Sequence, residues 1–530
     1  MPHSSLFQAL TRILHEAHRR NFRDGTLSQF PTVRWTRRRF LRLATLTCGS
    51  AIATTALSQS LPASNQKSLP RIAVIGGGIA GLNTAYQLKK QGYLATVYEA
   101  RPRLGGRIHT RNNILDPGIY LDFGGLFVNS EHGDILSLVA EFNLSLFNLI
   151  AAAKTTSIPA TTYYFEGQYR TEAELAEKLR PLARQIAEDA ALLETDFAQF
   201  APMLDRLSVA EYLERHQDKI SASLICGLLE NAIRSEYGVE TAEASALQLI
   251  FLLPTVTQDT VEVLGSSDEA YIITGGSGQM IQSLAEALSG QIQTRKPLIK
   301  LEELATGFRL TFADQKVVEA DYTILAIPMP TLRQIELNVT LPSKFKQFIN
   351  KVDLGNNSKF FALFKEKVWR QQNHFFQEIW TDLGYSMAWE STLRLPQRKD
   401  GVLTFFHGGN DAAKAQKHSL SYYGTKLLDT LDSAVPNLKA VASERFARTD
   451  WRREPYTRGA YTNFQPGQLT EFAEFFYLES DVTQEQQNVA FGNLVFAGEQ
   501  FSDEFYGYMN GGAQTGRLAA KVVMEKIGNN

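Results

Sequence analysis

The sequence predicts an α/β protein (α+β overall), and three observations carry that prediction. Residues 71–75 form a short β-rich run that opens into a glycine loop, Gly76, Gly78 and Gly81, and then a helical pattern over 82–91. A second strand pattern over 95–98 ends at an acid, Glu99. Near the C-terminus, residues 493–498 read as a strand that delivers another acid, Glu499, into a turn ahead of a helix running to about Lys526. Strand, glycine turn, helix and strand in that order make a βαβ unit, so the class is Rossmann-type. At 530 residues the chain exceeds one compact core and should divide into about two to four domains or a discontinuous pair.

The first 69 residues stand apart. They carry ten Lys/Arg and two Asp/Glu, a local balance of +8 against −10 for the remainder. Thr36, Arg37, Arg38, Arg39, Phe40 and Leu41 precede a modestly apolar run over 43–57 and a small-residue stretch over 61–64. The segment resembles a twin-arginine export signal, and its apolar run falls short of the roughly 20 apolar residues of a membrane span. Residues 1–69 are therefore read as a leader that engages the twin-arginine export machinery after folding, giving a periplasmic or extracytoplasmic protein. The net acidic body argues against a nucleic-acid surface, which needs basic patches. Of the two cysteines, Cys48 and Cys226, one would remain after removal of the leader, so no internal disulfide is expected. The nine histidines are scattered without metal-ligand spacing, and no metal site is expected.

In the glycine loop each position has a distinct task. Gly76 permits the tight turn, Gly78 lets a pyrophosphate approach the backbone, and Gly81 lets helix and strand pack closely. The helix start supplies N–H groups and a positive dipole end for phosphates. Glu99 lies 18 residues past Gly81, where a carboxylate accepts hydrogen bonds from an adenosine ribose. Glycine loops are common. The flanking strands and helix are what give this one meaning.

The run from Glu99 through Arg101, Leu104, Gly105, Gly106, Arg107 and Thr110 resembles the segment of flavin amine oxidases that continues from the ribose acid. The resemblance covers roughly residues 70–528. It implies FAD as the dinucleotide, with Gly105, Gly106 and Arg107 wrapping the pyrophosphate and ribityl chain. Gly124 and Gly125 are similar to the family's Gly-Gly turn beside the isoalloxazine ring. Residues 271–276, followed by a helix over 280–288, resemble the segment that returns the chain to the FAD domain, and residues 321–328 a familiar strand with a proline stop. Gly498, Glu499, Gly507, Tyr508, Met509 and Asn510 resemble the C-terminal motif, whose acid contacts the ribityl-phosphate region and whose helix start faces the flavin pyrimidine. Residues 206–213 read instead as a helix start in which Ser208 and Glu211 form a capping box, a structural role.

Three features bear on the chemistry. Lys359 sits where the family places a lysine that holds a water near flavin N5. Trp451, with residues through 456 and then Gly459, Ala460 and Tyr461, resembles the aromatic segment on the substrate side. Tyr461 and Tyr508 match the paired aromatics that flank the reacting amine, a slot suited to a neutral amine and weakly attractive to its cation. In animal monoamine oxidases a cysteine before the first tyrosine bonds the flavin. Ala460 stands there in this chain, which implies non-covalent FAD. Several L-amino acid oxidases carry an arginine where this chain has Phe127, which favours an unsubstituted amine, although Arg234 or Arg458 remain alternative sources of positive charge.

The expected architecture is a Rossmann-type FAD-binding domain from 70–148, 268–345 and 455–528, with a discontinuous substrate domain from 149–267 and 346–454. Residues 171–196 should be helical, 360–364 and 403–407 strands of a sheet over the flavin, and the aromatic stretch 375–389 either cavity wall or core. The expected reaction is hydride transfer from a primary or secondary amine to flavin N5, giving an imine and then a carbonyl product, with O2 reoxidising the flavin to yield H2O2. The alternatives are an L-amino acid oxidase, a flavin desaturase or porphyrinogen-type oxidase, and a flavin-bound module without turnover. A homodimer is possible on this reading.

Overall fold

The strand Ile72–Ile75 is buried along its whole length, as its unbroken apolar run requires of a central parallel strand. It pairs in parallel with Ala95–Tyr98 on one side and Tyr322–Leu325 on the other. Ile292–Gln293 extends the sheet beyond Ala95–Tyr98, while Leu494–Phe496 and then Ala490–Phe491 extend it beyond Tyr322–Leu325. Only the last pair in these six strands is antiparallel. The chain therefore leaves the centre in one direction and later returns to build the other side. The switch point between Ile72–Ile75 and Tyr322–Leu325 is where open α/β sheets bind ligands. The computed structural model describes residues 69–528 other than 221, 253, 258–259, 264–268, 372–373 and 481–485. Apart from Leu69, the leader lies outside the described residues.

Two helices clasp this sheet. Ile79–Lys90 starts three residues earlier than its apolar pattern suggests, because extended Gly78 serves as its N-cap. It packs on the C-terminal helix Met509–Gly528, with Asn83 Nδ2 donating to the Ala513 carbonyl at 2.7 Å and Thr84 Oγ1 to that of Gly516 at 3.0 Å. Any side chain on Gly516 would place its Cβ 2.4 Å from the Ala80 carbonyl oxygen, so the crossing depends on glycine.

A seven-stranded sheet forms the second layer, in the order Ala442–Arg448, Asn357–Phe364, Gly401–Gly408, Met387–Glu390, Glu378–Thr381, Thr161–Phe165 and Gln168–Arg170. All neighbours are antiparallel except Glu378–Thr381 against Thr161–Phe165. The strands expected at 360–364 and 403–407 are both present and paired with each other, the first beginning earlier at Asn357 and the second longer at both ends. The predicted helix over 171–196 runs from Glu172 to Thr195, capped by the Thr171 hydroxyl. The Ser208–Glu211 capping box also forms.

The aromatic stretch 375–389 divides its duties. Phe375, Trp380 and Tyr385 are fully buried core residues, whereas Met387 and Trp389 also reach the central cavity. Helix Ser223–Tyr237 ends at left-handed Gly238 and presses its last turn on the same sheet. A Cβ on Gly408 would lie 1.7 Å from the Arg234 carbonyl oxygen, and one on Gly355 1.8 Å from that of Tyr237. That contact carries Ser235 to the cavity wall. No helix among the described residues is long and apolar enough to cross a membrane.

Candidate active site

A cavity of about 580 Å³ opens at the switch point and extends to the seven-stranded sheet. The three loop glycines behave differently around it. Gly76 adopts φ +111°, and a Cβ there would meet the Ala326 carbonyl oxygen at 2.4 Å. Gly78 has no atom within 4 Å of where its Cβ would be, so the backbone lies open to the cavity. Gly81 is not part of the wall; its Cβ would lie 2.0 Å from the Gly76 carbonyl oxygen, which makes it a packing residue.

Glu99 is held in place by its neighbours. One carboxylate oxygen accepts the Gly77 N–H at 2.7 Å and the other the Arg101 N–H at 2.8 Å. Four lone-pair sites on a carboxylate leave capacity for two ribose hydroxyls. Arg101 donates to Thr457 Oγ1 at 2.5 Å and lies over the Tyr456 ring, tying the loop 454–457 to this end of the cavity. Gly105, at φ +94°, bonds back to the Gly77 carbonyl at 2.8 Å, and Gly106 follows at φ +56°. Together these turns form a backbone cradle around Gly78.

Arg107 and Glu499 meet across 392 residues, 2.6 Å apart. Glu499 uses both oxygens within the protein: one also accepts the Thr462 hydroxyl at 2.7 Å, the other the Gly507 N–H at 2.6 Å. Its main structural effect is thus to join the Arg107 turn, the 460–462 segment and the start of the C-terminal helix. Gly498, at φ +143°, donates its N–H to Thr515 Oγ1 in that helix. Gly124 passes so close to Arg107 that a Cβ would overlap the Arg107 carbonyl oxygen at 1.8 Å, and Gly125 faces the Met509 side chain. Trp451 Nε1 donates to the Phe123 carbonyl at 3.2 Å, locking an indole into the wall beside this turn.

Lys359 projects from the strand Asn357–Phe364, opposite Phe406. Its Nζ donates to the carbonyls of Gly124 and Asp122 at 2.6 and 3.0 Å and lies over the Trp389 ring. Burial pushes its pKa down to about 8; Arg394 adds to the effect, while Asp122 and Glu269 oppose it. Tyr461 donates its hydroxyl to the Ser235 carbonyl at 2.5 Å. Burial, reinforced by the charge of Glu236, holds that phenol well above the usual tyrosine range, so it stays neutral. Tyr508 packs edge-on against His132. Tyr461, Tyr508 and Lys359 all line the one cavity, joined by Leu126, Phe127, Trp389 and Phe406.

The cavity suits the FAD that the motifs imply. An open glycine backbone, an anchored acid and a helix start lie at one end, and an aromatic compartment with a buried lysine lies at the other. Ser358 Oγ and Trp389 Nε1 are buried in the wall without a partner in the protein, donors that a bound ligand would satisfy. The family model for flavin containing amine oxidoreductases matches residues 79–524. The chain belongs to the flavin-containing amine oxidoreductase family. It is an FAD-dependent enzyme acting on amines.

Relatives within this family include amine oxidase [flavin-containing] B of dog, 26% identical over 86% of both chains, and of human, 25% identical over the same shares. The A form of pig is 24% identical over 88% of this chain and 87% of its own. Among solved structures, cyclohexylamine oxidase from Brevibacterium oxydans superposes with a TM-score of 0.73 at 22% identity, covering 87% of this chain and all of that one. Putrescine oxidase bound to putrescine superposes with a TM-score of 0.69 at 21% identity, covering 86% and 99%. These likenesses support the fold.

All sequence-predicted site residues except Gly81 line the cavity. Sequence reasoning missed Glu269, Ser235 and Phe406, which reach the same wall. Glu269 stands two positions before Tyr271, at the edge of a segment read only for its return to the nucleotide-binding sheet.

Proposed function

We propose that the enzyme oxidises the C–N bond of a primary or secondary amine lacking a carboxylate, giving an imine that hydrolyses to a carbonyl compound, with O2 reduced to H2O2. The observation that carries this reading is the compartment in which Tyr461 and Tyr508 share a wall with Lys359. FAD supplies the hydride acceptor. Tyr461, pinned through Ser235, and Tyr508, pinned against His132, orient the amine between their rings. Phe127, Trp389, Leu126 and Phe406 exclude water. Lys359 holds a proton at Nζ, beside the turn that carries Gly124 and Gly125.

An amino-acid substrate needs a cation for its carboxylate. Phe127 occupies the position considered for one, edge-on to Trp389. Arg234 is committed to Glu240 and Glu230 and lies outside the cavity wall. Arg458 is exposed; it borders the cavity beside Tyr456 and Thr457, the loop tied to Arg101 at the nucleotide end, and also a separate basic depression with Arg452 and Arg453. Peroxide release measured over monoamines, diamines, polyamines and L-amino acids tests the proposal. Turnover of amino acids with none of any simple amine would overturn it. Export of the folded protein through the leader is a second proposal, supported by Arg37, Arg38 and Arg39. Loss of export on replacing this arginine run with lysines is the expected result, and unchanged export refutes it.

A further inference from the structure

Beyond residue 69 the chain is net acidic, by −10, yet one depression beside the cavity is basic. Its volume is about 490 Å³, and its wall holds Arg333, Arg452, Arg453 and Arg458 against a single acid, Asp353. These charges are not equally free. Arg333 donates to the carbonyls of Ile349 and Val352 and lies 3.6 Å from Asp353, so the one acid is matched. Arg453 leans on Asp450 at 3.5 Å and keeps most of its side chain in solvent. Arg458 reaches the Pro455 carbonyl at 3.4 Å. Arg452 and Arg458 are both exposed, and neither has a carboxylate partner among the described residues.

The depression adjoins the nucleotide end of the cavity. Gln334, Pro455 and Arg458 border both spaces. The turn over 454–458 is closed by the N–H groups of Thr457 and Arg458 on the Glu454 carbonyl. It is tied to Arg101 through Thr457 Oγ1 and the Glu454 carboxylate, and Arg101 in turn donates its backbone N–H to Glu99. Further in, Arg103 donates to the carbonyls of Leu104 and Gly106 in the cradle around Gly78. Arginine thus recurs from the protein surface to the glycine loop.

A dinucleotide carries a doubly negative diphosphate, which a net acidic body repels. Opposite charge gathered at the mouth of a cleft focuses the field and speeds encounter by about ten- to a thousandfold, a gain that salt screens away. Holding FAD once bound needs no charge outside the cavity, and Arg452 and Arg453 line the depression alone.

We propose that the depression at Arg452, Arg453 and Arg458 is a capture site for the diphosphate of FAD, the outer station from which the dinucleotide enters the cavity. It sets how fast the cofactor is loaded rather than how tightly it is held. The inference concerns the cofactor and stands whichever amine is oxidised.

The test mixes full-length apoprotein with FAD by stopped flow and follows binding by quenching of tryptophan fluorescence. Wild type is compared with Arg452→Ala/Arg453→Ala and with Arg184→Ala/Arg215→Ala. The latter removes the same charge from exposed positions on the helices Glu172–Thr195 and Val209–Arg215, which line neither space. At low salt Arg452→Ala/Arg453→Ala should associate at least about tenfold more slowly than wild type, and in about 0.5 M NaCl within about twofold of it. Its FAD release rate should stay within about twofold, and Arg184→Ala/Arg215→Ala should follow wild type. Equal association rates at low salt overturn the inference. So does a loss shared by both variants, which makes it an effect of net charge, or one that salt does not reduce.

A second readout uses holoenzyme, where Arg452 and Arg453 remain outside the cavity wall. Wild type should bind inorganic pyrophosphate by calorimetry, and Arg452→Ala/Arg453→Ala at least about tenfold more weakly. If the chain does not survive flavin removal, this measurement decides, and equal pyrophosphate binding overturns the inference. A difference in pyrophosphate binding with unchanged FAD association marks an anion site with no part in loading, and overturns it as well.

Discussion

Lys359 Nζ lies 2.6 Å from the carbonyl oxygen of Gly124, the residue whose Cβ would overlap Arg107. A strand of the seven-stranded sheet thus holds its lysine against the glycine turn at Gly124, within the one cavity. Because burial lowers its pKa to about 8, the ammonium prevails below that pH and is lost above it. If the ammonium assists the reaction with O2, reoxidation should slow as pH rises through about 8. Lys359→Met should lower that rate by about a hundredfold and abolish its pH dependence. Stopped-flow mixing of reduced enzyme with O2 measures both; a Lys359→Met profile that still bends near 8 assigns the titration elsewhere.

The glycine loop gives a paired prediction. Gly78 has φ −78° and open space beyond it, so Gly78→Val should fold with its melting temperature nearly unchanged but bind no FAD. Gly81→Val forces atoms against the Gly76 carbonyl and should cost about 3 kcal/mol of stability. Thermal unfolding of the two apoproteins separates them. Equal destabilisation would remove the distinction between a ligand-facing glycine and a packing glycine.

Arg107 and Glu499, 392 residues apart in sequence, pair at the cavity wall. Glu499→Gln leaves the Arg107 charge partly buried and uncompensated, at a cost of about 1–3 kcal/mol. FAD should then be lost on gel filtration, with the fold retained by circular dichroism. Full retention of FAD would confine the pair to a structural role.

Ala460 lines the cavity and offers no nucleophile, and Cys226, half-buried on the helix Ser223–Tyr237, does not line it. Acid precipitation should therefore release all the flavin into the supernatant. Yellow colour retained in the pellet contradicts this.

Much of the nucleotide-binding half was legible because its chemistry is local. The turn at Gly76 and the acid at Glu99 are set by neighbouring positions in one βαβ unit, and the run 105–107 follows within a few residues. Helix limits were less legible: the apolar pattern missed Ile79, where cap geometry rather than periodicity places the boundary. The stretch 375–389 was ambiguous because aromatic content does not tell a core from a cavity wall. Trp380 lies opposite Met387 on the same face of the sheet as Trp389, so only sheet order, one strand further along, leaves Trp380 in the core and Trp389 at the cavity wall.

By itself, then, the sequence determined the βαβ unit, the class of cofactor implied by its motifs and the identities of Lys359, Tyr461 and Tyr508. The tertiary structure decided what those residues face. Glu269 carries no motif; its position comes from Asn129 and from the compartment shared with Lys359 and Tyr461, which stand 90 and 192 positions away in sequence. Burial and long-range pairing bring a residue with no motif to the wall of the cavity. Neither is written in the spacing of residues along the chain.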